Sequence, residues 1–195
     1  DYILGRKTTD EEVDQDWDGT PLTLYHTTRD AEYEQLSHEL RLTSELDGSF
    51  NYVVGFYKWD SEYTIPMESR IGFFDLFGAV PTQDPLIVVP LYNYTHQETD
   101  SMAVFFEGDY DINDQITLTL GGRYIDEEKN SNACQGPGPY PDCSQINTFA
   151  DKSWTKFTPK VAVSYQSNEN VMYYLSYSQG YRSGGFNGRW GNEFS

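Results

Sequence analysis

The chain has 195 residues, with 31 Asp and Glu against 13 Lys and Arg, and its formal net charge of −18 excludes the basic surface that nucleic-acid binding requires. A mean hydropathy of −0.66, with no run of about 18 apolar residues, excludes a transmembrane helix. Aromatic residues make up 16% of the chain, far more than a disordered acidic segment carries. Only 37% of the residues are hydrophobic, so a conventional core would be thin. The combination of acidic charge, many aromatic and few aliphatic residues and no helical span leaves β structure as the leading class, as a secreted sandwich or part of a membrane barrel.

The first alternating stretches predict strands near residues 33–46 and 50–64. Leu36, Leu40 and Leu42 share one parity while polar residues occupy the other, which is the pattern of a strand with one dry and one wet face. Turn-forming residues lie between the two stretches, where the chain reads Asp47-Gly-Ser49. The sequence therefore predicts a tight hairpin here.

Two more hairpins with the same arrangement follow along the chain. The second joins predicted strands near 99–112 and 116–130, and the third joins predicted strands near 154–167 and 171–183. Because short turns force neighbouring strands to pair, the prediction is an all-β fold: one antiparallel, up-and-down meander of about six strands.

Long polar stretches separate these hairpins and are expected to be loops. They cover residues 9–31, 65–98 and 130–153 and are rich in Pro, Asp, Asn and Gly. The short turns would then lie at one end of the sheet and the long loops at the other. Outer-membrane barrels show this asymmetry, whereas long loops without structure are uncommon in compact sandwich domains.

The dry faces of the predicted strands carry two groups of aromatic residues with aliphatic residues between them. This order matches the two interfacial girdles and the apolar band of a membrane barrel. The aromatic residues are Phe50, Tyr52, Tyr110, Tyr165 and Tyr173 near the short turns and Tyr124 and Phe157 toward the loops, and the aliphatic residues are Val54, Val104, Leu118, Leu120, Val161, Val163 and Leu175. The wet faces carry charges in mid-strand, including Glu107, Arg123 and Lys160, which a water-filled lumen can hold. A half-exposed sandwich sheet alternates in the same way, so that alternative stays open.

Six segments of the chain, taken in their order and spacing, resemble those of a known protein family. They are Ser37-His-Glu-Leu-Arg-Leu-Thr-Ser44, Phe50-Asn-Tyr-Val-Val-Gly-Phe-Tyr57, Ala103-Val-Phe-Phe-Glu-Gly-Asp-Tyr-Asp111, Ile116-Thr-Leu-Thr-Leu-Gly-Gly-Arg-Tyr124, Phe157-Thr-Pro-Lys-Val-Ala-Val-Ser-Tyr165 and Tyr174-Leu-Ser-Tyr-Ser-Gln-Gly-Tyr-Arg-Ser-Gly-Gly-Phe-Asn187. Together they resemble the TonB-dependent outer-membrane receptors, which import siderophores, vitamins and carbohydrates. The last segment is the most specific.

The resemblance implies that residues 1–195 are part of a barrel domain of 22 strands in the bacterial outer membrane. Nothing in the chain resembles the plug domain, the segment that contacts TonB, or a terminal strand that ends in an aromatic residue. The implied partners are outer-membrane lipid, an imported ligand such as an iron-siderophore, vitamin or glycan, and the TonB complex through the missing N-terminal region. No cofactor is implied, and no individual ligand-binding residue can be assigned.

One acidic segment begins like a calcium-binding loop. Asp14, Asp16 and Asp18 occupy positions 1, 3 and 5 of such a loop, and Gly19 occupies position 6. Position 12 is Tyr25 instead of the bidentate Glu that the loop requires. An acidic solvated loop is therefore the favoured interpretation.

The two cysteines lie close together in a segment rich in Pro and Gly. Cys134 and Cys143 are separated by eight residues, and an outer-membrane protein folds in an oxidising compartment. No third Cys or His lies nearby, so a disulfide is favoured over two free thiols or a metal pair. The histidines His26, His38 and His96 are scattered without metal-ligand spacing and are interpreted as loop or lumen residues.

Two other classes of function were weighed against the receptor. An enzyme would need paired carboxylates in a cleft, but the chain has no recognisable nucleophile elbow, phosphate loop or zinc-protease motif. A secreted β-sandwich binding module or adhesin is the alternative, and it should be soluble and carry polar residues where a receptor meets lipid.

Overall fold

In a computed structural model, which describes residues 1–19, 24–72, 89–136, 146–186 and 193–194, the chain is built from β-strands. The strands are β1 (Tyr2–Asp16), β2 (Tyr25–Thr43), β3 (Phe50–Ile71), β4 (Val89–Asn113), β5 (Ile116–Gly136), β6 (Ile146–Asn168), β7 (Val171–Ser178), β8 (Gly185–Phe186) and β9 (Glu193–Phe194). Within these ranges, no helix has the length and apolar character needed to cross a membrane.

Strands β1 to β7 form one sheet in chain order, and each strand is antiparallel to the next. The short β8 and β9 pair separately. The predicted meander is therefore confirmed, and the described residues contain no second sheet layer of the kind a sandwich requires. The six predicted strands correspond to β2 to β7, and β1 adds a seventh strand to the sheet in the described part of the chain.

Strand β1 is the strand that the sequence analysis missed. Its full length pairs with β2, from Tyr2 opposite Leu40 to Asp16 opposite His26, so most of the predicted loop 9–31 is in fact a hairpin. Beyond Leu4 both faces of β1 are mainly polar, and a strand that lacks an apolar face gives no alternation for a sequence pattern to detect.

The described parts of the predicted loops 65–98 and 130–153 are also largely strand, because β3 to β6 continue far beyond the predicted ends. Strand β4 has 25 residues, which at about 3.3 Å per residue would span roughly 80 Å. The apolar band of an outer-membrane barrel is only about 25 Å tall. The far halves of these strands therefore extend beyond any lipid and lack the apolar alternation on which the prediction rested.

The three short turns lie where the sequence predicts them, at residues 44–49, 114–115 and 169–170. Asparagine side chains close all three, and in the first the Asn51 side chain accepts the backbone N–H of Leu46 at 2.8 Å. Asn113 Oδ1 accepts the backbone N–H groups of Gln115 and Ile116 at 2.9 Å, and Asn168 Oδ1 accepts that of Asn170 at 3.0 Å. These side-chain caps replace backbone hydrogen bonds in the turns and fix the register of the strands that follow.

The register divides the sheet into two faces of different character. The inner face carries odd-numbered residues in β1 to β5 and even-numbered residues in β6 and β7; the outer face carries the others. Of the buried residues other than glycine, all except Cys134 lie on the inner face: Thr27, Ser69, Thr95, Thr99, Ser101, Ala103, Ile125, Glu127, Ser131, Ala133 and Thr158. Most of these buried side chains are small and polar, as is expected on a face that lines a water-filled lumen.

Candidate functional site

Near the short turns the outer face is apolar and exposed. Register pairs join its residues across neighbouring strands: Leu42 with Val54, Val54 with Phe106, Leu120 with Val161, and Val161 with Tyr177. Leu40 is 59% exposed, Val104 53% and Leu175 79%. An apolar surface of this kind, continuous over six strands, is far more than a soluble monomer leaves in water, and it places the predicted aromatic and aliphatic residues on one face.

Farther from the short turns the outer face becomes acidic. Asp60 lies directly opposite Asp100, which in turn lies opposite Glu128. The Asp100 carboxyl group donates a hydrogen bond to the Asp60 carboxylate, which raises the pKa of Asp100, and partial burial and the negative charge of Asp60 raise it further. Because lipid cannot accommodate such a row of carboxyl groups, we place the edge of the apolar band before it and treat this row as lying outside the membrane-spanning segments.

The inner face carries paired charges at the level of the apolar band. Lys160 Nζ donates to Glu107 Oε2 at 2.8 Å, and the pair reaches across Gly121, which lies between the two residues in the register. The Arg123 guanidinium lies 5.3 Å from the ring centre of Tyr57 and 5.9 Å from that of Phe105. The mid-strand charges predicted for a lumen are thus satisfied by partners on the same face.

A second ion pair on the inner face is more buried. Lys129 Nζ lies 3.2 Å from Glu127 Oε1, and only 15% and 8% of the two side chains are exposed. The same ammonium group donates to Ser183 Oγ at 2.7 Å and to the carbonyl of Gly184 at 2.8 Å. Lys129 therefore ties the segment of residues 179–186 to the inner face.

This tied segment corrects the predicted strand 171–183. Strand β7 ends at Ser178, after which the backbone N–H of Gln179 donates to the carbonyl of Pro159 at 3.0 Å. A Cβ on Gly184 would lie 2.8 Å from Cζ2 of Trp154, so glycine permits this close approach. Residues 179–186, which belong to the most specific segment of the family resemblance, thus turn onto the inner face. They have no period-2 alternation, so a sequence pattern does not predict this position.

At the end of the sheet remote from the short turns, the inner face forms a cavity of about 200 Å³. The rings of Trp17 and Tyr25 stack on its rim with centroids 6.1 Å apart, and Trp17 Nε1 donates to Thr27 Oγ1 at 2.9 Å. The lining is Val13, Gln15, Trp17, Tyr25, Thr27, Arg29, Met67, Ser69, Ile71, Leu91, Asn93 and Gln135. Six of these twelve residues are polar or charged, so the cavity combines aromatic and aliphatic walls with groups that can form hydrogen bonds.

The sequence does not reveal this cavity, because Trp17 and Tyr25 lie in a stretch whose acidic composition is typical of a loop. Their parity along β1 and β2 would have placed both on the inner face, but β1 was not recognised as a strand. Across the strands, Arg29 Nη2 donates to Glu11 Oε1 at 3.0 Å, and Gln135 Nε2 donates to Asn93 Oδ1 at 3.0 Å. These contacts hold neighbouring strands together around the cavity.

The carboxylates of the calcium-like segment have structural partners. Asp14 Oδ1 lies 2.5 Å from His26 Nε2, and Asp16 Oδ1 accepts the backbone N–H groups of Asp18 and Gly19. Asp18 Oδ2 accepts the backbone N–H groups of Leu24 and Tyr25 at 3.0 and 2.9 Å. Gly19 has a φ of 65°, as a reversal of the chain requires. These groups shape the β1–β2 turn.

The remaining predicted site residues are distributed over the sheet. Cys134 is buried near the end of β5, while Cys143 lies outside the described residues, so the disulfide stays a prediction. His38 Nδ1 lies 2.6 Å from the Tyr2 hydroxyl. His96 lies on the outer face of β4 beside Glu62 and Glu98, a grouping that the sequence does not reveal because 33 residues separate Glu62 from His96.

A family model and the solved structure of one receptor agree with this geometry. The family model described as TonB dependent receptor-like, beta-barrel, matches residues 3–193. The ferric yersiniabactin uptake receptor FyuA from Yersinia pestis is similar in structure, with a TM-score of 0.76 at 12% identity over 96% of this chain and 26% of that chain. The alcaligin outer membrane receptor FauA from Bordetella pertussis gives a TM-score of 0.33 at 13% identity over 90% of this chain and 35% of that chain. No curated protein sequence matches the chain.

Proposed function

Because the chain belongs to the TonB-dependent receptor β-barrel family, whose members are transport proteins of the bacterial outer membrane, we propose that it forms part of the wall of a receptor that imports a scarce ligand. The ligand class is an iron-siderophore, a vitamin or a carbohydrate. The chain spans about a quarter of the length of FyuA. In this proposal, the plug and the segment that contacts TonB are supplied by the rest of the receptor.

The observation that carries the proposal is the partition of the two faces. The outer face exposes aromatic and aliphatic side chains near the short turns, while the inner face holds hydroxyl groups and the Glu107–Lys160 ion pair. A lipid-facing band around a polar lumen requires this arrangement. A secreted sandwich would instead cover its apolar face with a second sheet, and the described residues contain no such layer.

The ligand would enter through the end of the lumen that is remote from the short turns. Short turns face the periplasm in outer-membrane barrels, so the cavity beside Trp17 and Tyr25 would face the outside of the cell. Its stacked rings and the guanidinium of Arg29 could contact a bound ligand on its way to the plug.

The proposal is tested by expressing the full-length receptor in cells that lack their own siderophore, cobalamin and maltodextrin receptors. Fractionation should place the protein in the outer membrane, and uptake of one ligand class should depend on both the receptor and TonB. A receptor gene product that is recovered as a soluble secreted protein would exclude transport and favour the binding module.

A further inference from the structure

On the outer face, beyond the apolar band, the register places two glutamates against each other. Glu62 of β3 lies directly opposite Glu98 of β4, and Glu34 of β2 lies opposite Glu62 on its other side. Like charges at directly opposed positions destabilise a sheet. A cation that bound between the carboxylates would remove this repulsion.

A histidine reaches both glutamates of the β3–β4 pair. His96 Nδ1 lies 3.7 Å from Glu62 Oε1, and His96 Nε2 lies 3.5 Å from Glu98 Oε1. One ligand atom from each of the three residues can be chosen so that all three atoms lie within 4.8 Å of one another. This group therefore differs from a patch of acidic side chains, because it offers one imidazole nitrogen together with two carboxylate oxygens.

A neighbouring threonine orients the imidazole for ligation. Thr64 lies opposite His96 in the register, and its Oγ1 lies 3.2 Å from His96 Nδ1. A histidine that binds a metal through one ring nitrogen normally uses the other to donate a hydrogen bond to an oxygen. With Nδ1–H donating to Thr64 Oγ1, the lone pair of Nε2, which lies beside Glu98, remains for a metal ion, and the exposed side chain of Glu62 must swing from Nδ1 toward it.

We propose that Glu62, His96 and Glu98 form a divalent transition-metal site, with zinc as the best-fitting ion. Imidazole and carboxylate ligands at about 2.0–2.2 Å suit Zn²⁺, which keeps open positions for water when the protein supplies three ligands. In tetrahedral geometry such ligand atoms lie roughly 3.4 Å apart, so the two carboxylates must move inward toward Nε2. Glu62 and Glu98 are exposed, so their side chains can make this movement without disturbing packing.

The site is independent of the proposed uptake function. It lies on the outer face, whereas the cavity beside Trp17 and Tyr25 lies on the inner face of the same sheet. The open coordination positions of the ion would face away from the lumen, beyond the apolar band. Loss of the metal should therefore leave ligand uptake intact.

The test is a calorimetric titration of Zn²⁺ into the purified, metal-free, full-length receptor. The wild-type receptor should bind a zinc ion, and the His96→Asn and Glu98→Gln variants should not bind it. Thr64→Val should weaken the zinc affinity by about 10- to 100-fold. Glu34→Gln is the matched control for Glu62→Gln, because both remove one carboxylate from the same row of the outer face. Glu34→Gln should leave the affinity nearly unchanged, since screened surface charge alone contributes little.

Two results would overturn the site. Equal zinc affinity in wild type and His96→Asn would show that the imidazole is not a ligand. An equal loss in Glu34→Gln and Glu62→Gln would show that zinc responds only to the summed negative charge. Each variant barrel is folded if its unheated and heated samples migrate differently in electrophoresis, as those of the wild type do.

Discussion

The ring of Phe105 lies over Gly55, its register partner on the neighbouring strand, so closely that a Cβ on Gly55 would lie 2.2 Å from Phe105 Cζ. The same Cβ would lie 2.9 Å from the carbonyl oxygen of Leu40. The ring also stacks against the guanidinium of Arg123. Glycine at position 55 thus allows an aromatic ring to cover the backbone of the inner face.

Gly55→Ala is therefore expected to displace Phe105 and to destabilise the folded barrel by about 1–3 kcal/mol, the usual cost of overpacking. Urea unfolding of the full-length receptor in lipid vesicles would measure the change. Gly48→Ala is the matched control, since nothing lies within 4 Å of a Cβ at that turn position. Equal stability of the two variants would mean that Phe105 does not cover Gly55.

The two lysine ion pairs of the inner face should contribute very differently to the free energy of unfolding. Lys129→Met would leave the buried carboxylate of Glu127 unpaired and should cost about 3–5 kcal/mol. Lys160→Met should cost no more than about 1 kcal/mol, because Lys160 and Glu107 are 42% and 37% exposed and water screens their pairing.

Unfolding free energies of the two lysine variants would check this order. Lys129→Met should also release residues 179–186 from the inner face, which limited proteolysis would detect as new cleavage in that segment. Similar costs for both variants, with no new cleavage, would contradict the assignment of Lys129 as the residue that ties the segment.

Cys134 and Cys143 are predicted to be bonded to each other, and the bond should stabilise the local connection only. A ring of about ten residues removes on the order of 2–3 kcal/mol of unfolded-chain entropy in the simple model. Thiol titration of the unfolded, unreduced protein should find no reactive thiol. Two reactive thiols would refute the bond.

The faces of β5 should respond in opposite ways to a charge. Arg at Leu120, which is 48% exposed on the apolar outer face, should cost about 2–4 kcal/mol near the bilayer midplane. Arg at Thr119 should be tolerated, because Thr119 Oγ1 donates to Asp109 Oδ1 on the inner face at 2.6 Å and an arginine there would meet the same carboxylate. Outer-membrane insertion and unfolding of both variants would be compared, and equal defects would contradict the assignment of faces.

The sequence predicted the parts of the strands that carry an apolar outer face. Leu36 to Leu42, and the alternating residues that flank Asn113 and Asn168, revealed their strands because one face is dry and the turns are short. The far halves of β3 to β6 could not be predicted in this way. Their outer faces carry residues such as Asp60 and Glu98, and a strand that is polar on both faces resembles a loop.

The candidate sites depend on register, which sequence patterns do not supply. Glu62 and His96 become neighbours only because Thr64 pairs with His96 across β3 and β4. Trp17 and Tyr25 stack only because β1 and β2 form a hairpin. Long-range pairing of polar strands therefore marks the limit of what the sequence analysis could predict.

The most direct test of the receptor wall is a cysteine scan of residues 116–124 in cells that express the full-length receptor. One thiol reagent would be impermeant and confined to water, and the other would partition into lipid. Even-numbered positions, on the outer face with Leu118 and Leu120, should react with the lipid-phase reagent, and odd-numbered positions, on the inner face with Thr119, should react with the aqueous one. Uniform labelling by the aqueous reagent would contradict the membrane assignment and the proposed transport function.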